Sequence, residues 1–344
     1  MRGLACRPPA AAALYFKLGA PDPPPPLPLP PPSLHSEAPE RSVTWRLLTC
    51  AFVGSVCAAQ YGWAIGIINF PAAVMCSDFG LSGTDSWWWS GGVVAGFCVA
   101  GFLGSHFGGG LADAMGRRRL VVALNVPFVA AGLLGYGASV LKGQGGLWLM
   151  LASRLVVGAA AGAGSVVTPL YLGEIATEAT RGAFGALFQL QITVFILLVQ
   201  LASMPGALSS SSTWGYLFAA SAALSLAGLL AAPLLIESPK WLLKQGRQDH
   251  AQSALALLRG VSQAEALEDL QHLESQEEGG GGEDVEARLV GGAPAQPRVL
   301  SLGQVLADPY LRFPLLILSV LMVTQQFSGI NAVFYYSAGF FKVS

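Results

Sequence analysis

Three carboxamides crowd one stretch of an otherwise apolar segment: Gln325, Gln326 and Asn331, within little more than one and a half helical turns. A carboxamide offers donors and acceptors without a charge. A cluster of them inside an apolar bundle can therefore replace the water around a neutral, hydroxyl-rich solute. Gly329 lies between them and can loosen the backbone so that Asn331 turns inward, as in discontinuous membrane helices. The plainer reading is polar glue between helices, worth about 0.6 kcal/mol per contact. That reading suits Gln200 better than the cluster.

Charged residues form a second pattern. Gly109-x-x-x-Asp113-x-x-Gly116-Arg117-Arg118 joins two apolar runs. Its glycines permit a tight turn, and Asp113 can accept from a helix N-terminus or pair with an arginine. Arg154 begins another apolar run. Pro169-Leu-Tyr-Leu-Gly-Glu174 leads to Arg181, and Glu237-Ser-Pro-Lys-Trp-Leu242 closes a further run. Arg154, Glu174, Arg181 and Glu237 are expected at one membrane face, where alternating signs suggest ion pairs that form and break.

Apolar helices must position these groups. The 344 residues are 53% hydrophobic and 11% charged, with 42 glycines and a mean hydropathy of +0.54. Average soluble domains carry about 25% charged residues, so a soluble globular fold is excluded. Glycine suits closely packed membrane helices. A spanning helix needs about 20 apolar residues. Charge-poor runs predict seven spans, near 47–71, 87–111, 120–141, 147–172, 184–204, 214–235 and 313–338. The fold class is all-α, a polytopic membrane helical bundle. Trp87, Trp88 and Trp89 read as an interfacial belt. Arg41, Arg46, Arg117, Arg118, Arg119, Arg181, Lys240, Lys244, Arg247 and Arg259 fall in alternate loops, which predicts a cytoplasmic N-terminus.

Residues 1–44, with Pro23 to Pro26 and Pro30 to Pro32, read as a disordered Pro-rich cytoplasmic tail. Residues 45–237 form a six-helix bundle. Residues 238–304 form a cytoplasmic linker, with short amphipathic helices at 251–258 and 264–273, and 305–344 hold the seventh helix. A net charge of −1 and a pI near 6.4 give no sign of nucleic-acid binding. No Ser/His/Asp, phosphate-loop or metal-ligand spacing appears, so the sequence calls for no enzyme activity, metal or cofactor. The cysteines at 50, 57, 76 and 98 read as packing residues.

Together these segments resemble the sugar porter family of the major facilitator superfamily, which includes the facilitative glucose transporters. The resemblance rests on Tyr61-Gly-Trp-Ala-Ile-Gly-Ile-Ile-Asn69-Phe-Pro71, the Gly109 to Arg118 loop, Arg154 to Gly162, Pro169 to Leu190, Glu237 to Leu242 and Gln325 to Tyr336. It covers roughly residues 45–344. It implies two six-helix halves around a central site, transport of a hexose by alternating access, and a plasma-membrane location. Gln189 falls on the family's sugar-contacting glutamine. Gln325, Gln326 and Asn331 fall on its polar cluster, and Tyr335 and Tyr336 on the tyrosines that close the outer gate.

The chain departs from the family in places. The family has twelve spans and this sequence ends past the seventh, which suggests an N-terminal fragment or a chain that does not transport unaided. Ala114 stands where an arginine is usual, Lys240 replaces an arginine, and Met322-Val323-Thr324 replaces the Gln-Leu-Ser of glucose-selective members. Ala64 stands where proton-coupled members carry aspartate. With no carboxylate in mid-span, facilitated diffusion is favoured over proton symport. The other readings are a non-transporting sugar sensor, a truncated partner that associates with full-length porters, and a seven-helix receptor. The receptor conflicts with the arginine bias.

Overall fold

The computed structural model describes residues 43–84, 86–279, 303, 306, 309–330 and 332–335. The proline-rich tail, apart from residues 43–44, lies outside the described residues, as do Asn331 and Tyr336.

The first span is a broken helix. Thr44 caps α1 (Trp45–Gly54), its hydroxyl accepting from Leu47 N–H at 3.1 Å. Ser55 interrupts the run, and α2 (Val56–Gly66) ends well before Pro71. The chain then turns into the short α3 (Ala72–Asp78). The second span opens with a π-helical turn, Trp88–Val94, and continues as α4 (Ala95–Met115). Trp87 and Trp88 are exposed, as a belt requires. Trp89 is 1% exposed and belongs to the core, which corrects the expectation for that residue.

Next come α5 (Arg117–Leu141), α6 (Gly143–Ile175), α7 (Arg181–Ala202) and α8 (Gly215–Leu230). The serine run at residues 209–212 lies between α7 and α8. At 16 residues α8 is short for a span and continues through a 3-10 turn, Ala232–Leu234. Among the described residues, six runs are long and apolar enough to cross a membrane, including Arg312–Tyr335.

Small residues explain the tight packing. A Cβ at Gly104 would strike the Ala159 carbonyl, and one at Gly162 the Gly101 carbonyl, so α4 and α6 touch through backbone. Gly62 meets the Ile192 carbonyl in the same way, bringing α2 against α7. One apolar cluster runs through α1 to α8.

The two amphipathic linker helices appear as α10 (Gln248–Arg259) and α11 (Gln263–Gly279), preceded by α9 (Pro239–Lys244). Trp241, Leu242, Ala251, Leu255, Ala266 and Leu270 give them a small core of their own. The last described helix, α12 (Pro309–Phe327), is exposed from Arg312 to Phe327 apart from the half-buried Leu315. After Phe327 the helix breaks at Ser328–Gly329, where Gly329 has φ +75°, and helix resumes at Ile330. The break falls at the glycine between the carboxamides.

Candidate functional site

The loop between α4 and α5 gathers Asp113, Arg117, Arg118, Glu174 and Glu237 around it. Gly116 has φ +95° and ψ 155°, a conformation open essentially to glycine alone. Its turn leaves Arg117 with a side chain only 3% exposed. Arg117 Nε lies 3.1 Å from Glu174 Oε1 and 3.0 Å from Oε2. Its Nη1 donates to the Ala112 carbonyl at 3.1 Å and pairs with Asp113 at 2.9 Å. One guanidinium thus ties the end of α4, the start of α5 and the end of α6, which uses the planar donor fork that lysine lacks.

Glu237 is placed beside this network but used differently. Its Oε1 accepts from the backbone N–H of Arg118 at 2.9 Å and of Ser238 at 3.1 Å. The carboxylate therefore caps the start of both α5 and α9. Trp241 Nε1 donates to the Asp113 carbonyl at 2.9 Å, and Tyr171 Oη to the Ile236 carbonyl at 2.8 Å. Arg118 reaches the Ala232 carbonyl at 3.4 Å. Asp113, Arg117, Arg118, Glu174 and Glu237 thus meet at one end of the bundle. Arg181 starts α7 at that end, exposed, with no ion pair among the described residues.

Arg154 does not join them. It lies twenty residues before Glu174 on the same helix, roughly 30 Å away at about 1.5 Å per residue. Its guanidinium is buried inside the bundle. Nη1 donates to the Ala64 carbonyl at 2.9 Å and Nε to the Val93 carbonyl at 3.1 Å. The Phe97 ring lies beneath it, 4.4 Å from its centroid. The expectation of a shared face fails for this residue because sign alternation carries no information about distance along a helix.

At the end opposite Arg117, Asp78 accepts from Ser211 Oγ at 2.6 Å and from Trp214 Nε1 at 2.9 Å, with Lys142 Nζ at 3.4 Å. Burial alone would raise this carboxyl. The three donors and the lysine charge outweigh it and hold the group below its ordinary value. Sequence reading did not find this clasp, whose members come from loops far apart in the chain.

The proposed solute-binding amides are less assembled. Gln189 sits exposed on α7, and Gln325 and Gln326 exposed on α12. Tyr335 is 8% exposed and packs into the core cluster of the bundle. Other buried amides bond to neighbouring elements of the bundle. Gln60 donates to the Ser221 carbonyl at 2.8 Å and accepts from Ser221 Oγ at 2.8 Å. Gln191 donates to Ser55 Oγ at 3.1 Å, and Asn69 to Gln200 Oε1 at 3.1 Å. The last contact is the interhelical glue expected of Gln200. An amide's place in an apolar run separates glue from site only when the partner helix is known.

A tightly packed bundle of apolar helices, tied at one end by the Arg117 network, is a polytopic membrane protein of major facilitator architecture. The chain belongs to the sugar transporter family: the profile described as "Sugar (and other) transporter" matches residues 50–343. It is 32% identical over 326 residues to facilitated glucose transporter member 4 of solute carrier family 2 from Mus musculus, covering 89% of this chain and 59% of that protein. It is 30% identical over 287 residues to the putative metabolite transport protein YwtG of Bacillus subtilis, covering 83% and 55%. The chain thus spans under two thirds of the length of these relatives. In fold it is similar to the proton:xylose symporter XylE bound to 6-bromo-6-deoxy-D-glucose, with a TM-score of 0.65 and 20% identity, covering 86% of this chain and 62% of that one. A partially occluded inward-open XylE from E. coli gives a TM-score of 0.63 at 21% identity, covering 84% and 66%.

Proposed function

We propose that this chain carries the N-terminal part of a facilitative hexose carrier working by alternating access. Gln189, Gln325, Gln326 and Asn331 take the sugar hydroxyls, and Tyr335 and Tyr336 close the outer mouth. The Arg117 network, with Asp113, Arg118, Glu174, Arg181 and Glu237, holds the opposite end. The N-terminus is cytoplasmic, which makes the Arg117 end the inner one, and the plasma membrane is the expected site. The observation that supports this most is the helix break at Ser328–Gly329, immediately after Gln325 and Gln326. A broken helix frees backbone groups and lets one half tilt over a midplane site. The similarity to glucose transporters over 89% of the chain adds to it.

The test is labelled hexose uptake in a transport-null cell, comparing wild type with Gln189→Ala and Gln325→Ala. Loss of most uptake in both variants is expected, and unchanged uptake in both would remove the site assignment. The second reading, a regulatory partner of full-length porters, draws on the exposed side chains of α12 between Leu316 and Phe327. It predicts sugar binding or complex formation without flux.

A further inference from the structure

Arg154 carries a full charge into the bundle and leaves part of its hydrogen-bonding capacity unspent. The residue is 1% exposed. Its Nη1 and Nε are engaged by the Ala64 and Val93 carbonyls, and the Phe97 ring centroid lies 4.4 Å away. Its Nη2 has no hydrogen-bond partner among the described residues. Buried polar atoms of folded proteins are almost always satisfied, so an unpaired one marks a place for a water or an ion.

There is room for one beside this residue. Arg154 lines a cavity of about 10 Å³ between α2, α5, α6 and α8. That volume suits a single water or a single monatomic ion. Trp63 and Phe218 give it apolar walls, and Ser153 and Ser221 bring hydroxyls to it. These hydroxyls donate to the Ala131 carbonyl and to Gln60 Oε1. A hydroxyl hydrogen rotates, so each can be turned toward a new acceptor.

Charge separates the two candidates. A guanidinium keeps its proton inside a protein, and a buried charge needs a partner of opposite sign. The ion pairs of the described residues are made by Arg117, Lys142 and Arg259, not by Arg154. Asp and Glu occur in the spans only at helix ends, as Asp113 and Glu174. The two carbonyls and the aromatic face are neutral dipoles and quadrupoles, which offset the charge only in part. A water would add one more dipole. A monoanion cancels the charge itself.

We propose that this cavity is a binding site for a small inorganic monoanion, chloride or bromide, which Arg154 Nη2 holds as its counter-ion. The cavity is lined from four helices, so the bound anion holds α2, α5 and α8 around α6. Its release leaves a buried charge unpaired at their junction, which loosens the bundle.

Anion binding does not depend on which solute is carried, and it is measured without flux. The full chain in detergent is kept at constant sodium concentration while chloride or bromide replaces gluconate. Both halides are expected to raise the midpoint of thermal unfolding, by about 2–4 °C for each tenfold increase above the dissociation constant. Radiolabelled chloride in equilibrium dialysis is expected to saturate at one ion per chain and to be displaced by bromide. Arg154→Gln is expected to lose both responses. Ala64→Asp is expected to lose them too, because it keeps the arginine and places a carboxylate beside it. The proposal is overturned by equal midpoints in halide and gluconate, which would leave only a water in the cavity. It is also overturned by a halide response that survives either substitution. Should one variant fail to fold, the other decides.

Discussion

Gly116 and Glu237 share a space that only a hydrogen atom can fill. A Cβ at position 116 would stand 2.6 Å from Glu237 Oε2, and the glycine's φ of +95° is one that side chains rarely adopt. The motif glycine therefore holds the turn open for a carboxylate that caps two helices. Gly116→Ala is expected to lower stability by about 1–3 kcal/mol, read as a lower midpoint of thermal unfolding in detergent.

The role of Glu237 can be separated from an ion pair by charge removal. Its carboxylate accepts from the backbone N–H groups of Arg118 and Ser238. Glu237→Gln keeps an acceptor oxygen and is expected to lose well under half of what Glu237→Ala loses. The alanine variant leaves two donors unpaired, at about 1–3 kcal/mol each where water cannot reach them. Equal losses in both variants would mean that the charge, not the cap, matters.

Arg117 contacts two carboxylates that are unequal. Glu174 is 11% exposed and Asp113 72% exposed. An exposed pair is worth about 0–1 kcal/mol, whereas breaking a buried pair strands a charge at about 3–5 kcal/mol. Thermal midpoints are expected to fall far more for Arg117→Ala than for Asp113→Ala. The variant Arg117→Lys falls between them because an ammonium cannot bridge as the fork does. A double-mutant cycle between positions 117 and 174 is expected to show strong coupling.

Asp78 gives the opposite end a pH signature. Its donors hold the folded carboxyl below its ordinary value, so the clasp contributes stability above the unfolded pKa of about 4 and loses it as pH falls through the folded value. Asp78→Asn is expected to unfold at lower temperature than wild type at neutral pH. The gap closes as the medium is acidified below about pH 4. A gap of constant size from pH 7 to pH 3 would contradict the assignment.

Much of this arrangement was legible in the sequence, for identifiable reasons. Charge-free runs locate spans because bilayer thickness fixes their length. Gly329 announced its break because glycine among carboxamides in an apolar run has few other uses. The Arg117 network was legible as a set of residues, since its members fall at run ends. Arg154 was misplaced because its sign was weighed and its distance along the helix was not. Gln60 went unremarked because an amide in an apolar run looks the same whether it faces Ser221 or a solute. The Asp78 clasp joins residues 78, 142 and 211, which no local pattern connects.

Ala64 bears on energetics. Arg154 Nη1 donates to the carbonyl of Ala64, so a carboxylate introduced there would stand beside the guanidinium. The wild-type spans hold acids only at their ends, and a coupled proton needs a titratable group along the path. Hexose uptake by the parent chain is therefore expected without alkalinisation of the outer medium. Ala64→Asp is expected to make uptake vary with outer pH, because the new carboxylate binds a proton from water on one side and releases it to water on the other, the Arg154 charge favouring release. The comparison is run again with His106→Phe, which replaces the exposed imidazole of α4. Alkalinisation in the parent that survives His106→Phe would refute uniport.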